Sequence, residues 1–212
     1  MASQSKYLAN KLIDWFWRGQ VFSPPAIHYF AYFTSTHGPR ANSTAYALNN
    51  TVSVVCNDGK VNLYKVTTAG ATAAAQGALF AGTSNEVITD GTAVLTEQTT
   101  GVQDGTALVE VAGGAYARVA LTASLANMAG TQAAASTTAS SGISRITSNN
   151  IAITHPAPTA NWGFLWALGT FDASTAGNLL MVDGLNTAKT VNSGDAAPSI
   201  AISAYTFQID TV

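Results

Sequence analysis

Past its first nineteen residues the chain consists of short runs of β-branched and aromatic residues broken by turns containing glycine and proline, a pattern that builds sheet rather than helix. The run Ala26–Thr34 is dense in aromatic residues and bounded by Pro24-Pro25 and by Ser35-Thr36-His37-Gly38-Pro39, so it predicts a strand closed by a turn. Val52–Cys56 and Val61–Val66 flank Asn57-Asp58-Gly59-Lys60 as in a hairpin, and the Asp58-Gly59 centre suits a type I′ turn. Asp90-Gly91-Thr92-Ala93 recurs as Asp104-Gly105-Thr106-Ala107, each copy leading into an apolar-acidic run, Val94–Glu97 and Leu108–Val111. Two copies are too few for a solenoid and predict two similar hairpin strands. Further strands are expected at Ala115–Leu121, Ile151–Thr154, Trp162–Phe171, Asn178–Val182 and Ile200–Ile209. Residues 123–148, rich in Ala, Ser, Thr and Gly, read as a long ordered loop or as an arm lying on a neighbour. The expected fold class is all-β, an antiparallel β-sandwich, jelly-roll-like rather than a closed barrel, with a short N-terminal α-helix.

That helix is expected over Lys6–Arg18. Leu8, Leu12, Trp15 and Phe16 fall at i, i+4, i+7 and i+8, which is one helical face, and Gly19 stands where a C-cap glycine would. A helix this short is marginal in water, so its aromatic face must pack on its own sandwich or on a neighbouring subunit. Trp15 and Trp17 lie about 200° apart around a helix, too far for one core to bury both. One of them is expected to face a partner or solvent.

Charge narrows the function classes. Only 9% of the 212 residues are charged, against about 25% in an average domain. The 9 Lys+Arg against 11 Asp+Glu, net −2, are too few to neutralise many phosphates, so nucleic acid is not expected as a partner. No apolar run is long enough for a membrane span, and the N-terminus does not have the form of an export signal. The chain therefore reads as soluble. Four of the basic residues and one Asp fall in 1–40, whereas 66–117 carries acidic residues alone. That asymmetry reads either as solvated turns and strand edges or as an acidic lobe opposite a mildly basic anchoring end.

Catalytic signatures are sparse. His28, His37 and His155 lack metal-site spacing, and neither a nucleophile elbow nor a phosphate-cradling loop is present. Asp58, Asp90, Asp104 and Asp183 each precede glycine and Asp195 follows one, the usual turn contexts, which outweigh a paired-carboxylate hydrolase. Cys56, the one cysteine, reads as a small buried hydrophobe. No enzyme activity, cofactor or metal is expected. The aromatic inventory carries more information: Trp15, Phe16 and Trp17, then Trp162, Phe164, Trp166 and Phe171, are large enough to dominate a core or an interface. Trp162 and Trp166 would serve a carbohydrate-binding module if they were exposed as stacking platforms.

An ordered set of segments carries a resemblance: Ser5–Asp14 followed by Arg18-Gly19, Ile27–Ser35, Gly113-Gly114-Ala115-Tyr116-Ala117-Arg118, Trp162-Gly163, Gly169–Asp172, Gly177–Leu180 and Lys189–Asp195. Together they resemble a family of small structural proteins of tailed bacteriophages, variously labelled tail-fibre-like or head decoration (cement) proteins. The resemblance implies a short N-terminal helix, a β-sandwich and a non-catalytic virion component made in the host cytoplasm. It suggests residues 1–20 as a helix or arm and 21–212 as one sandwich domain, in which 46–112 departs from the family pattern as an insertion or added β lobe. The leading expectation is a cement protein on the phage head surface that bridges subunits of the major capsid protein and associates with itself as a homodimer or homotrimer. A tail-fibre or baseplate component contacting the host surface is the alternative, with a carbohydrate-binding module behind it. Tyr7, Lys11, Trp15, Phe16, Trp17 and Arg18 are the candidate interface residues.

Overall fold

The computed structural model describes residues 3–77, 80–129 and 146–208. Its first elements are β1 (Ser3–Gln4), α1 (Lys6–Arg18), β2 (Ile27–Ser35), β3 (Ala45–Tyr46), β4 (Thr51–Val55), β5 (Val61–Thr68) and β6 (Gly70–Ala71). The middle of the chain forms β7 (Val87–Asp90), β8 (Ala93–Glu97), α2 (Thr99–Gln103), β9 (Val109–Glu110) and β10 (Val119–Thr122). The remaining strands are β11 (Ile146–Ser148), β12 (Ile153–Thr154), β13 (Gly163–Phe171), β14 (Leu179–Val191), β15 (Ser199–Ile200) and β16 (Thr206–Gln208). The larger sheet runs β1-β14-β13-β2-β10, with β9 alongside the far end of β2, and the smaller runs β4-β5-β8-β7. All these ladders are antiparallel. The chain is an all-β sandwich with a short N-terminal helix.

The pair β2–β13 is buried on both faces because its residues are apolar on both. Phe30 and Tyr32 point with Leu165 and Leu168 into a cluster closed by Val111, Leu121, Ile153 and Trp162. Ala31 and Phe33 point the other way, onto Trp166, Ala167, Val182 and, from the smaller sheet, Leu63. The ladder register shifts between Leu165 and Ala167, and this bulge lets the consecutive Trp166 and Ala167 share one face. A third cluster, from Tyr46 to Leu95, belongs to the smaller sheet, so the segment 46–112 holds that sheet together with its own core.

Several turns differ from expectation. Gly59 takes a positive φ of 79° but Asp58 does not, so the β4–β5 hairpin closes without a type I′ turn, through Gly59 N–H to Cys56 O at 2.9 Å. The two Asp-Gly-Thr-Ala copies diverge. Asp90–Ala93 is the β7–β8 hairpin, whereas Asp104 caps the C-terminus of α2 and accepts from Thr106 N–H and Oγ1–H at 3.0 and 2.6 Å. Asp183-Gly184 is not a turn but lies within β14; a Cβ on Gly184 would come 3.1 Å from Val61 O, a tight contact that glycine relieves where the sheets approach. The last expected strand is split by a turn in which Ser203 has a φ of 64°, leaving β15 and β16. Most of the Ala/Ser/Thr-rich stretch, at 130–145, and the end of the last expected strand at Ile209 lie outside the described residues.

The scarce charges work largely inside. Arg40 meets Asp90 in two parallel contacts, Nε–Oδ2 at 2.5 Å and Nη2–Oδ1 at 2.9 Å, with the two side chains only 2% and 4% exposed. The same guanidinium donates to Ala73 O at 3.1 Å, and Asp90 accepts from Ala73 N–H at 3.1 Å. The pair thus joins the β7–β8 hairpin to the loop after β2, which itself covers the outer edge of β4 through Ser53 N–H to Gly38 O and Arg40 N–H to Ser53 O, both 2.9 Å. Removing one partner strands a buried charge, so Arg40→Met should destabilise by about 3 to 5 kcal/mol. In urea denaturation at neutral pH, Arg40→Met with Asp90→Leu should recover a substantial part of that loss.

His155 is equally enclosed. Its ring lies 4.4 Å from that of Tyr32 and stacks on Tyr116 at 14°, and its Nε2–H donates to Phe30 O at 3.2 Å. Nδ1 has no partner among the described residues. Burial lowers its pKa from 6.5 to about 4, with the Phe30 carbonyl pulling the other way. The unfolded chain binds this proton from about pH 6.5 downward and the folded chain does not until about pH 4. The contribution is therefore complete above pH 6.5 and falls by about 3 kcal/mol as pH drops to 4. His155→Gln should lose less urea stability than the parent chain between pH 7 and pH 4.5.

Candidate interaction surface

Ser5 sets where the helix begins. Its extended backbone (φ −69°, ψ 160°) places Oγ to accept from Leu8 N–H at 3.1 Å, the N-cap bond. The same hydroxyl donates to Leu179 O at 2.5 Å, and Ser5 N–H donates to Leu180 O at 2.9 Å. The first turn is thereby held on β14, and Lys6 adds an ion pair with Asp104 at 3.1 Å. Local hydrogen bonds and Lys6 hold the Asp104 carboxyl well down, at about 2. At the other end Gly19 adopts φ 65°, and the N–H groups of Gly19 and Gln20 both return to Asp14 O. The helix spans the expected residues with the expected C-cap.

Beyond the first turn the helix leaves its own sandwich. None of its residues is buried. Trp15, Phe16 and Trp17 are 53%, 67% and 79% exposed, and Val21 just past the cap is 93% exposed. The three rings pack on one another, Trp15–Phe16 tilted at 6.2 Å and Phe16–Trp17 edge to face at 5.0 Å. The expectation that one core could not bury both tryptophans holds, and both are exposed. Of the other candidates, Arg18 is exposed and paired with Asp14 at 2.9 Å, while Tyr7 and Lys11 are half-buried, with the Lys11 ammonium 5.7 Å from the Tyr7 ring centre. Ile13, 52% exposed, and Val21 extend the patch and were missed: one lies off the Leu8–Leu12–Trp15–Phe16 face and the other beyond the cap.

The alternative sites read differently. Trp162 and Trp166 are 5% and 2% exposed, so neither is a stacking platform. Trp162 Nε1–H donates to Gly114 O at 2.9 Å, a core contact. The buried Asp90 and Glu97 and the half-buried Glu110 serve the fold. Asp90 binds Arg40, Glu97 accepts from Asn85 N–H and Thr99 N–H at 2.9 and 2.8 Å, and Glu110 binds Arg118 Nη2 at 2.6 Å. Arg118 also lies over Phe171 at 3.5 Å and donates to Ala173 O and Ala176 O, while Tyr116 O–H donates to Glu110 Oε1 at 3.0 Å. The Gly113–Arg118 segment is therefore a lock between strands. Cys56 is buried, with its thiol pushed up by burial. A cleft of about 380 Å³ lies between the sheets, lined by Lys60, Asn62, Gln103, Trp166, Asp183 and Asn186. Among the described residues no cluster of three His, Cys, Asp or Glu could hold a metal.

A family model described as "Podophage GP4 fiber I protein gp80" matches residues 3–102 and 91–208. The chain belongs to this family. It is a structural protein of tailed phages, as the resemblance implied, and the family's description carries the fibre label rather than the head-decoration label. No curated protein matches the chain. The matched residues include the helix, its cap and both sheets.

Ser5→Ala removes both the cap and the tether to Leu179. It should cost about 1 to 2 kcal/mol and speed hydrogen exchange selectively in the first turn of α1. Trp17→Ala removes only the edge contact with the exposed Phe16 ring and should change unfolding stability by less than about 0.5 kcal/mol.

Proposed function

We propose that the chain is a non-enzymatic component of the phage tail, a fibre or baseplate subunit, in which the sandwich is the body and α1 is the element that joins it to other protein in the particle. The observation that carries this reading is the match of almost the whole chain to a podophage fibre family. The exposed aromatic helix supports it, because a soluble body with one apolar projection is the form of a part made to be assembled. A structural rather than catalytic role agrees with the ion pairs and caps that occupy Asp90, Glu97 and Glu110. The head surface, with the major capsid protein as partner, is the reading this proposal displaces.

The test is the copy number of this chain in purified particles, measured against the major capsid protein by quantitative gel. A fibre or baseplate subunit should be present in few copies, far below the capsid protein. A near-integer ratio to capsid subunits would return it to the head surface. Deleting residues 1–19 should leave a soluble sandwich that fails to enter particles, and incorporation at the parent level would remove α1 from the proposal.

A further inference from the structure

We infer that the cleft between the two sheets is a binding site for a small neutral saccharide, held by side-chain amides on its walls and by the buried indole N–H of Trp166. This goes beyond the tail reading and stands on the cleft alone, wherever in the particle the chain sits.

The cleft lies where β5 and α2 face β14, and its volume is about 380 Å³. That is near the lower end of small-molecule sites, which run from roughly 300 to 1,000 Å³, and suits a ligand of monosaccharide or disaccharide size. What sets the cleft apart is the state of its polar groups. Elsewhere enclosed amides are spent on backbone carbonyls, as Asn149 Nδ2–H is on Ile151 O and Ala201 O at 2.9 and 2.8 Å, and Gln98 Nε2–H on Thr96 O at 2.9 Å. In the cleft, the Gln103 and Asn186 amides make no hydrogen bond among the described residues, and Asn62 donates to Gly82 O at 3.2 Å with its own Oδ1 left over. Trp166 is 2% exposed, and among the described residues its Nε1–H is the one buried side-chain donor of the cleft wall without an acceptor. A folded chain rarely carries such a donor, and an acceptor brought by a ligand satisfies it.

The lining selects the class of ligand. Lys60 stands against Asp183, and Glu97 is already occupied by Asn85 N–H and Thr99 N–H, so no ionic ligand is called for. Side-chain amides present donors and acceptors together, which matches hydroxyl groups that each donate and accept. An apolar ligand would leave the amides and the indole unpaired. A sugar ring supplies hydroxyls on a rigid frame, so little freedom is lost on binding. Trp166 takes part through the N–H at the edge of its ring, since its buried face offers no platform.

In the full chain labelled with nitrogen-15, the four tryptophans give separate indole N–H resonances, and Trp166→Phe identifies the one from Trp166. The probes are glucose, galactose, N-acetylglucosamine and rhamnose, with glycerol as a polyol that has no ring. At least one sugar should shift the Trp166 indole and the Gln103 side-chain amide signals along a common saturation curve while those of Trp15 and Trp17 stay in place, and glycerol should not. The double variant Gln103→Ala/Asn186→Ala removes no side-chain hydrogen bond among the described residues. It should keep the urea midpoint and weaken that binding about tenfold; if it fails to fold, Gln103→Ala alone is read in the same way. No saturable shift with any of the sugars, a shift that glycerol reproduces, or parent affinity in the variant overturns the inference. Saturable shifts confined to Trp15 and Trp17 place the sugar on α1 and overturn it as well. None of these outcomes depends on the copy number in the particle, so failure here leaves the tail-component reading standing.

Discussion

The β2–β13 pair is apolar on both faces, and the rest of the molecule follows from the need to cover both. Phe30 and Tyr32 demand a layer on one side, which the segments around Ile153, Trp162 and Val191 supply. Ala31, Phe33 and Ala167 demand one on the other, which Leu63 of the smaller sheet helps supply. A strand pair buried on both sides loses far more on exposure than an edge strand does, so it sets the register to which the shorter strands adapt. The bulge at Trp166 belongs to the same constraint, because it turns two consecutive apolar residues onto the face that meets the smaller sheet.

Low charge has a structural counterpart. A chain with 9% charged residues cannot cover its surface with ion pairs, and it uses its best ones where the backbone changes direction. Arg40 with Asp90 and Arg118 with Glu110 each tie a loop to a strand through paired hydrogen bonds and carbonyl contacts, and each guanidinium also lies over an aromatic ring. Such pairs gain little over apolar packing in free energy, but they fix geometry, since a displaced guanidinium strands a carboxylate. Thr, Ser and Asn supply the remaining polarity, and their hydroxyls and amides cap turns, as Thr106 does for Asp104 and Asn178 for Asp172.

The helix stands apart from this economy. It has a cap at each end and a tether at the first, yet it contributes no buried side chain to its own domain. A 13-residue helix gains little from propensity alone, and a large apolar face left in water is costly to a free chain. The molecule thus pairs a low-charge sandwich with an exposed aromatic helix.

How much of this was legible in the sequence depends on the range of the interactions involved. The helix limits, its Gly19 cap, the strands around Ile27–Ser35 and Gly163–Phe171 and the separation of Trp15 from Trp17 follow from contacts within a few residues, and the sequence by itself determined them. Identical Asp-Gly-Thr-Ala segments ended as a hairpin and as a helix cap: Arg40, fifty positions away in the chain, holds Asp90 from both sides of its carboxylate, whereas Asp104 binds its own Thr106 and, ninety-eight positions away, Lys6. Asp183-Gly184 passes from expected turn to strand interior because both residues pair with Leu168 and Ala167 in the β13–β14 ladder. Trp162 and Trp166 could have been platforms or core, and only the closing of two layers over them decided it. Periodicity and caps are local energies that a linear reading samples directly; register, burial and the fate of a turn depend on which distant segment arrives, and only the tertiary structure decides that.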